Sequence, residues 1–152
     1  MKRTPFKKKK THKKLGKSKR LTIPRLRDKA WRVFSKYIRT KDSIGGYVKC
    51  ITCGEINLIE DTHAGHFYHG KNKSTYFLEE NVHPQCPRCN MYLSGNLIEY
   101  TLYMINEYGE AYIDQLRAWH EKSHVWKREV LENLLHTYTE KLKKLTPINK
   151  EE

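Results

Sequence analysis

Two Cys-x-x-Cys pairs, Cys50 with Cys53 and Cys86 with Cys89, restrict this chain more than any other feature of it. They stand 32 residues apart and use all four cysteines of the 152-residue chain. A C-x-x-C turn lets two thiolates converge on one ion, and zinc takes four such ligands in a tetrahedron. Matched pairs with no thiol left over predict a structural zinc site made of Cys50, Cys53, Cys86 and Cys89. The rival, a redox or disulfide role, lacks the βαβ surroundings of a thioredoxin-like motif. Four thiolates close the coordination shell, so this zinc is expected to staple the fold and do no chemistry. A staple is useful here, because only 38% of residues are hydrophobic and the mean hydropathy is -0.85. Paired thiols of this kind belong to a reducing compartment, and the expectation is a bacterial cytoplasm.

Charge is unevenly placed. Residues 1–20 hold eleven Lys or Arg and no acid, out of a formal net charge of +13. Such a block cannot bury apolar surface, so residues 1–22 are expected to form a disordered basic arm. Each cation set on a phosphate releases counterions, which makes nucleic acid the expected partner. A membrane is not expected. The arm has no apolar insertion face, no secretory h-region follows it, and no apolar run approaches the ~20 residues of a span.

Beyond the arm, the pattern predicts an α+β chain. Leu26, Ala30, Val33, Phe34, Tyr37 and Ile38 recur at helical spacing after Pro24, and Asp42 to Gly46 ends that helix. Residues 47–53 and 57–68 read as short strands about a knuckle at Cys53-Gly54, and residues 69–80 as a loop. A helix is expected from Pro87, interrupted at Gly95 and restarted by an Asn96/Glu99 capping box. It runs to Tyr108, with Gly109 as terminator. Helices follow over 110–122 and 124–145. The last carries an apolar stripe (Trp126, Leu131, Leu134, Leu135, Tyr138) that serves as core or as a dimer seam. The boundaries are then 1–22 for the arm, 23–108 for the zinc-containing core with its leading helix, 109–146 for the C-terminal helices and 147–152 for a frayed tail.

Histidines crowd the segment between the cysteine pairs: His63, His66, His69 and His83 fall within 21 residues. A ribbon built only to fold has no need of them. His66 ends a strand, Asn81 follows fifteen residues later, and Asn90 stands directly after Cys89. This order resembles the HNH, or ββα-metal, nuclease motif. Cys50-x-x-Cys53, His63-Ala64-Gly65-His66-Phe67, Asn81 to Cys86, and Cys89-Asn90 with Ser94-Gly95-Asn96 resemble more specifically the NinG, or Rap, family of phage recombination proteins.

The resemblance implies a treble-clef-like ββα-metal core flanked by helices, and an endonuclease selective for branched DNA such as Holliday junctions and D-loops. It implies His66 as general base, with its pKa near working pH, and Asn81 as the residue that orients it. A single Mg2+ or Mn2+ would be held by Asn90 and a second ligand. HNH sites place Asp or His directly before the base, and here that position is Gly65. His63 can serve if the strand bulges, with Asp61 as fallback. His69 and His83 stay open between phosphate contact and plain surface. A two-fold junction is most simply cut by a homodimer. The alternative is a zinc module that binds nucleic acid without cutting it.

Overall fold

A computed structural model describes residues 20–145; most of the basic arm and the last seven residues lie outside them. Four α-helices and two antiparallel two-stranded sheets make up the described chain, so it is a mixed α+β molecule. Helix α1 spans Ile23–Thr40 with Pro24 in its first turn, where the missing N–H costs nothing. Leu26, Ala30, Phe34 and Ile38, four residues apart, form its buried edge.

Strands β1 (Tyr47–Lys49) and β2 (Ile56–Leu58) form the first hairpin, closed by the Cys50–Cys53 knuckle. The single strand expected over 57–68 is split. Residues 59–62 turn away, and the chain enters a second hairpin, β3 (His63–His66) with β4 (Val82–Gln85). Arg39 holds that turn from α1, donating from Nη1 to Ile59 O at 2.8 Å and Thr62 O at 3.0 Å. Strand β4 went unread in the sequence because it is four residues long and contains Pro84. The 69–80 stretch is not plain loop either, since it makes short 3-10 turns at Ser74–Phe77 and Glu79–Asn81.

After β4 the chain makes one wide π turn, Arg88–Tyr92, in place of the α-helical turn expected from Pro87. Helices α2 (Leu97–Tyr108) and α3 (Glu110–Glu121) follow, joined at Gly109 with φ +82°. Helix α4 (Arg128–Leu145) then returns to lie along α1. The apolar stripe expected over 124–145 is mostly spent inside the molecule. Trp126, Leu131 and Tyr138 are buried with Phe34, Phe77 and Val82 in one core. The Phe34 and Tyr138 rings meet edge to face at 4.7 Å. A second core joins Phe67 to Tyr100, Met104 and Leu116.

The β3–β4 hairpin therefore lies between two layers. Alternation along the strand sends Ala64 and His66 toward α1, and His63 and Gly65 toward the π turn and α2. The ladder pairs His63 with Gln85, Ala64 with Pro84, Gly65 with His83 and His66 with Val82, one to one. No bulge brings His63 round to the His66 side. Among the described residues no helix is long and apolar enough to cross a membrane.

Candidate metal centres and the hairpin cleft

The four cysteines meet. Their Sγ atoms all lie within 4.8 Å of one another, and Cys53 and Cys86 are 3.7 Å apart. A zinc tetrahedron with bonds of ~2.3 Å has edges of ~3.8 Å, so the cluster has the right size for that ion. Each knuckle is set by backbone geometry. Gly54, with φ +79°, returns its N–H to Cys50 O at 2.9 Å, and Cys89 N donates to Cys86 Sγ at 3.4 Å. Burial drives the Cys86 thiol up to about 12, with its sulfur neighbours adding to the rise. Burial also pushes Cys50 up, but hydrogen bonds from Thr52 and nearby amides outweigh it and bring it down to about 6. The pocket alone does not favour four thiolates together, and a divalent cation among them would supply the missing charge.

Asn96 contributes in a way the sequence did not suggest. It precedes α2 with φ +48° and makes no capping bond to the helix. Its amide instead donates back to Cys89 Sγ at 3.6 Å. The expected capping box is thus replaced by an N–H···S contact, permitted because asparagine tolerates the left-handed region.

His66 stands on the other face of the hairpin. Its ring lies between Trp31 and Tyr76, stacked on each with centroids 4.7 and 4.9 Å away. Nε2 contacts Tyr76 O at 3.0 Å. A carbonyl only accepts, so Nε2 carries the proton and Nδ1 keeps a lone pair with no protein partner among the described residues. Burial lowers the His66 pKa to about 4, opposed by the Tyr76 bond and reinforced by His69 and His120. The ring is neutral at ordinary pH.

Asn81 does not touch that ring. Its Nδ2 donates to Tyr68 O at 2.9 Å and Thr75 O at 3.0 Å, and its Oδ1 accepts from Tyr68 N at 2.9 Å. It folds the 68–75 segment into the shape that delivers the Tyr76 carbonyl to His66. The direct hydrogen bond expected from the sequence is replaced by this indirect one.

The structure brings His63 to Asn90, with His63 Nδ1 and Asn90 Nδ2 3.0 Å apart. Both line a cleft of about 380 Å³ together with Trp31, Arg39, Glu60 and Thr62. Asp61, the fallback ligand, is exposed and is not among the cleft residues, whereas its neighbour Glu60 is. Gly65 explains why the position before His66 is empty. A Cβ there would lie 2.0 Å from Gln85 Oε1 and 2.9 Å from Asn90 Oδ1. Gln85 is fully buried; its Nε2 donates to Gly95 O at 2.8 Å, and its Oε1 has no hydrogen-bond partner. Two amide oxygens therefore converge on the space a side chain at 65 would fill, beside an imidazole. Oxygen and imidazole donors suit a hard divalent ion.

Glu60, Arg39 and Gln85 were missed in the sequence. Only the pairing of Gln85 with His63 across the hairpin marks Gln85, and that pairing needs β4 to be known.

The remaining histidines resolve differently. His83 is buried, neither surface nor phosphate contact. Tyr100 Oη donates to Gly65 O at 2.9 Å, so it accepts from His83 Nδ1, while Tyr108 Oη lies 2.9 Å from Nε2. Burial takes its pKa down to about 3. His69 is exposed, 6.3 Å from the His66 ring. His120 contacts Thr75 Oγ1 at 3.0 Å and stacks on Tyr68.

A family model described as "Bacteriophage Lambda NinG protein" matches residues 1–149. The protein ninG of Escherichia phage 933W is 32% identical over 117 residues, covering 76% of this chain and 56% of the relative. The ninG proteins of Salmonella phage P22 and Escherichia phage lambda are 32% and 31% identical, each over 76% of this chain and 55% of its own length. The matched stretch thus spans little more than half the length of these relatives. No solved structure matches.

Proposed function

The chain belongs to the NinG family of bacteriophage proteins, and from that premise we propose that it is a metal-dependent DNA endonuclease. It hydrolyses phosphodiester bonds, with branched recombination intermediates such as Holliday junctions and D-loops as its substrates. The observation that carries the reading is the tautomer of His66. Its Nε2–H is committed to the Tyr76 carbonyl, and its Nδ1 is unprotonated and unpartnered. That is the state a general base needs before it takes a proton from water.

His66 is held rigidly by Trp31 and Tyr76, and Asn81 keeps Tyr76 in place. His66 Nδ1 removes the proton as the water attacks phosphorus. On the other face of the hairpin His63 and Asn90, with Gln85 beneath them, hold the catalytic Mg2+ or Mn2+. Bound there, that ion acts as a Lewis acid for the phosphate and the leaving 3′ oxygen. Arg39 adds a positive charge to the cleft wall. The zinc cluster takes no part in the reaction. It fixes Cys89, and so the position of the neighbouring Asn90. The basic arm, outside the described residues, supplies phosphate contacts of no sequence preference. The rival reading, a zinc module that binds without cutting, accounts for the cysteines and the charge. It gives the free Nδ1 no task.

The test is a substrate panel. Four-way junction, D-loop, nicked and linear duplex are incubated with Mg2+, Mn2+ or EDTA. The reading expects cutting of the branched substrates with either metal and none in EDTA. Tight junction binding without cutting under every condition would favour the rival.

A further inference from the structure

Helix α2 has two faces, and only one is covered. Tyr100 and Met104 lie fully buried against Phe67 and Leu116. The opposite face carries Ile98, Leu102 and Ile105, four and three residues apart, which is the spacing of a coiled-coil seam. Ile98 is 78% exposed and Leu102 57% exposed. Leu97 widens this row, and the π turn continues it through Met91 and Tyr92, 61% and 81% exposed. Side chains of this size carry on the order of 200 Å² each, so these six leave on the order of 700 Å² uncovered. That exceeds the roughly 300–600 Å² of an ordinary monomer's largest apolar patch. It approaches the ~800 Å² that one partner gives to a standard interface.

Charge says what does not cover this face. From Cys89 to Leu116 there is no Lys or Arg, while Glu99, Glu107, Glu110 and Asp114 all occur, in a chain of formal net charge +13. A polyphosphate has no cation to meet there. The Lys-rich residues 1–20 offer Phe6 and Leu15 but no apolar row to lay against the seam. The other apolar stripe, on α4, is no rival, because Leu131 and Tyr138 are buried against α1.

We propose that this face is a homodimer interface, in which α2 packs antiparallel against α2 of a second copy about Leu102. The pattern is self-complementary, as a two-fold interface requires. Ile98 of each copy meets Ile105 of the other, and the two Leu102 side chains meet at the axis. On the flanks Glu99 comes opposite Asn106, so no acid faces an acid. Met91 directly follows Asn90, so pairing here puts two copies of the His63–Asn90 cleft on one particle. The inference stands on exposure and charge, independently of the hydrolytic chemistry.

Light scattering coupled to size exclusion, on the full zinc-loaded chain at micromolar concentration, tests it. The wild type is expected at the mass of two chains. Leu102→Glu and Ile98→Glu change exposed side chains, so both should keep zinc content and circular dichroism while association weakens about 100-fold or more, the cost of burying facing carboxylates. Leu102→Cys, on the axis, should give a disulfide-linked dimer on mild oxidation. A monomeric wild type would overturn the proposal. So would a dimer that survives Leu102→Glu unchanged, since its interface would lie elsewhere.

Discussion

His66 and His83 both sit in the hairpin layer, and burial pushes both below the 6.5 of an open imidazole, to about 4 and about 3. The sign of the consequence follows from proton counting. Between those values and pH 6.5 the unfolded chain binds protons that the folded chain refuses, so stability is full above about pH 6.5 and falls as pH drops through that window. For His66 alone the loss is on the order of 3 kcal/mol. Urea unfolding at pH 5 and pH 7.5 in excess zinc should show it. Zinc release at low pH affects wild type and variant alike, so a smaller pH 5 deficit in His66→Asn isolates the imidazole. The same shift keeps the base neutral, so the kcat/KM profile should lack an acid limb near pH 6.5. Gly65 gives a second residue-scale prediction. The Cβ of Gly65→Ala would collide with Gln85 Oε1, so the variant should lose roughly 1–3 kcal/mol of stability by overpacking. It should also bind Mn2+ more weakly, read by the electron paramagnetic resonance of free Mn2+. Unchanged Mn2+ binding in a destabilised variant would remove Gln85 and Asn90 from the ion's surroundings.

At the scale of elements, what was legible in the sequence followed periodicity and what was not depended on tertiary packing. Helix α1 could be read from Leu26, Ala30, Phe34 and Ile38, because one buried edge at four-residue spacing admits one secondary structure. The cysteine pairs were legible because ligand chemistry restricts spacing. Strand β4 was not, since four residues including Pro84 carry no period. Nor was the division of His63 and His66 between two faces, which an unbulged ladder imposes and which only the pairing register reveals. The Asn96/Glu99 spacing suggested a cap, but Cys89 Sγ competes for the same amide and wins. This last point is testable. Asn96→Gly keeps the left-handed turn and loses the N–H···S contact. It should give up zinc to a chelator faster than wild type, with little change in Tm in excess zinc. Equal release rates would make the contact incidental.

At the scale of the molecule, two cores meet at one hairpin, and the cysteine cluster ties that hairpin to β1 on one side and to the π turn on the other. Helix α1 packs on one face of the hairpin and α2 with the π turn on the other, so losing the zinc should loosen both cores together. Chelation is expected to produce one cooperative loss of helical signal, with Trp126 fluorescence changing in step. Two separated transitions would show that the α1–α4 core stands without the metal. The organisation also separates the support from the chemistry, for Cys89 and Asn90 are adjacent yet have different roles. The most direct measurement of that separation is single-turnover cleavage of a four-way junction with Mn2+, comparing wild type with His66→Ala at matched zinc content. The account expects the variant to remain folded, zinc-loaded and junction-binding while its cleavage rate falls by about 100-fold or more, the share of a general base. A His66→Ala protein that cuts at the wild-type rate would contradict it.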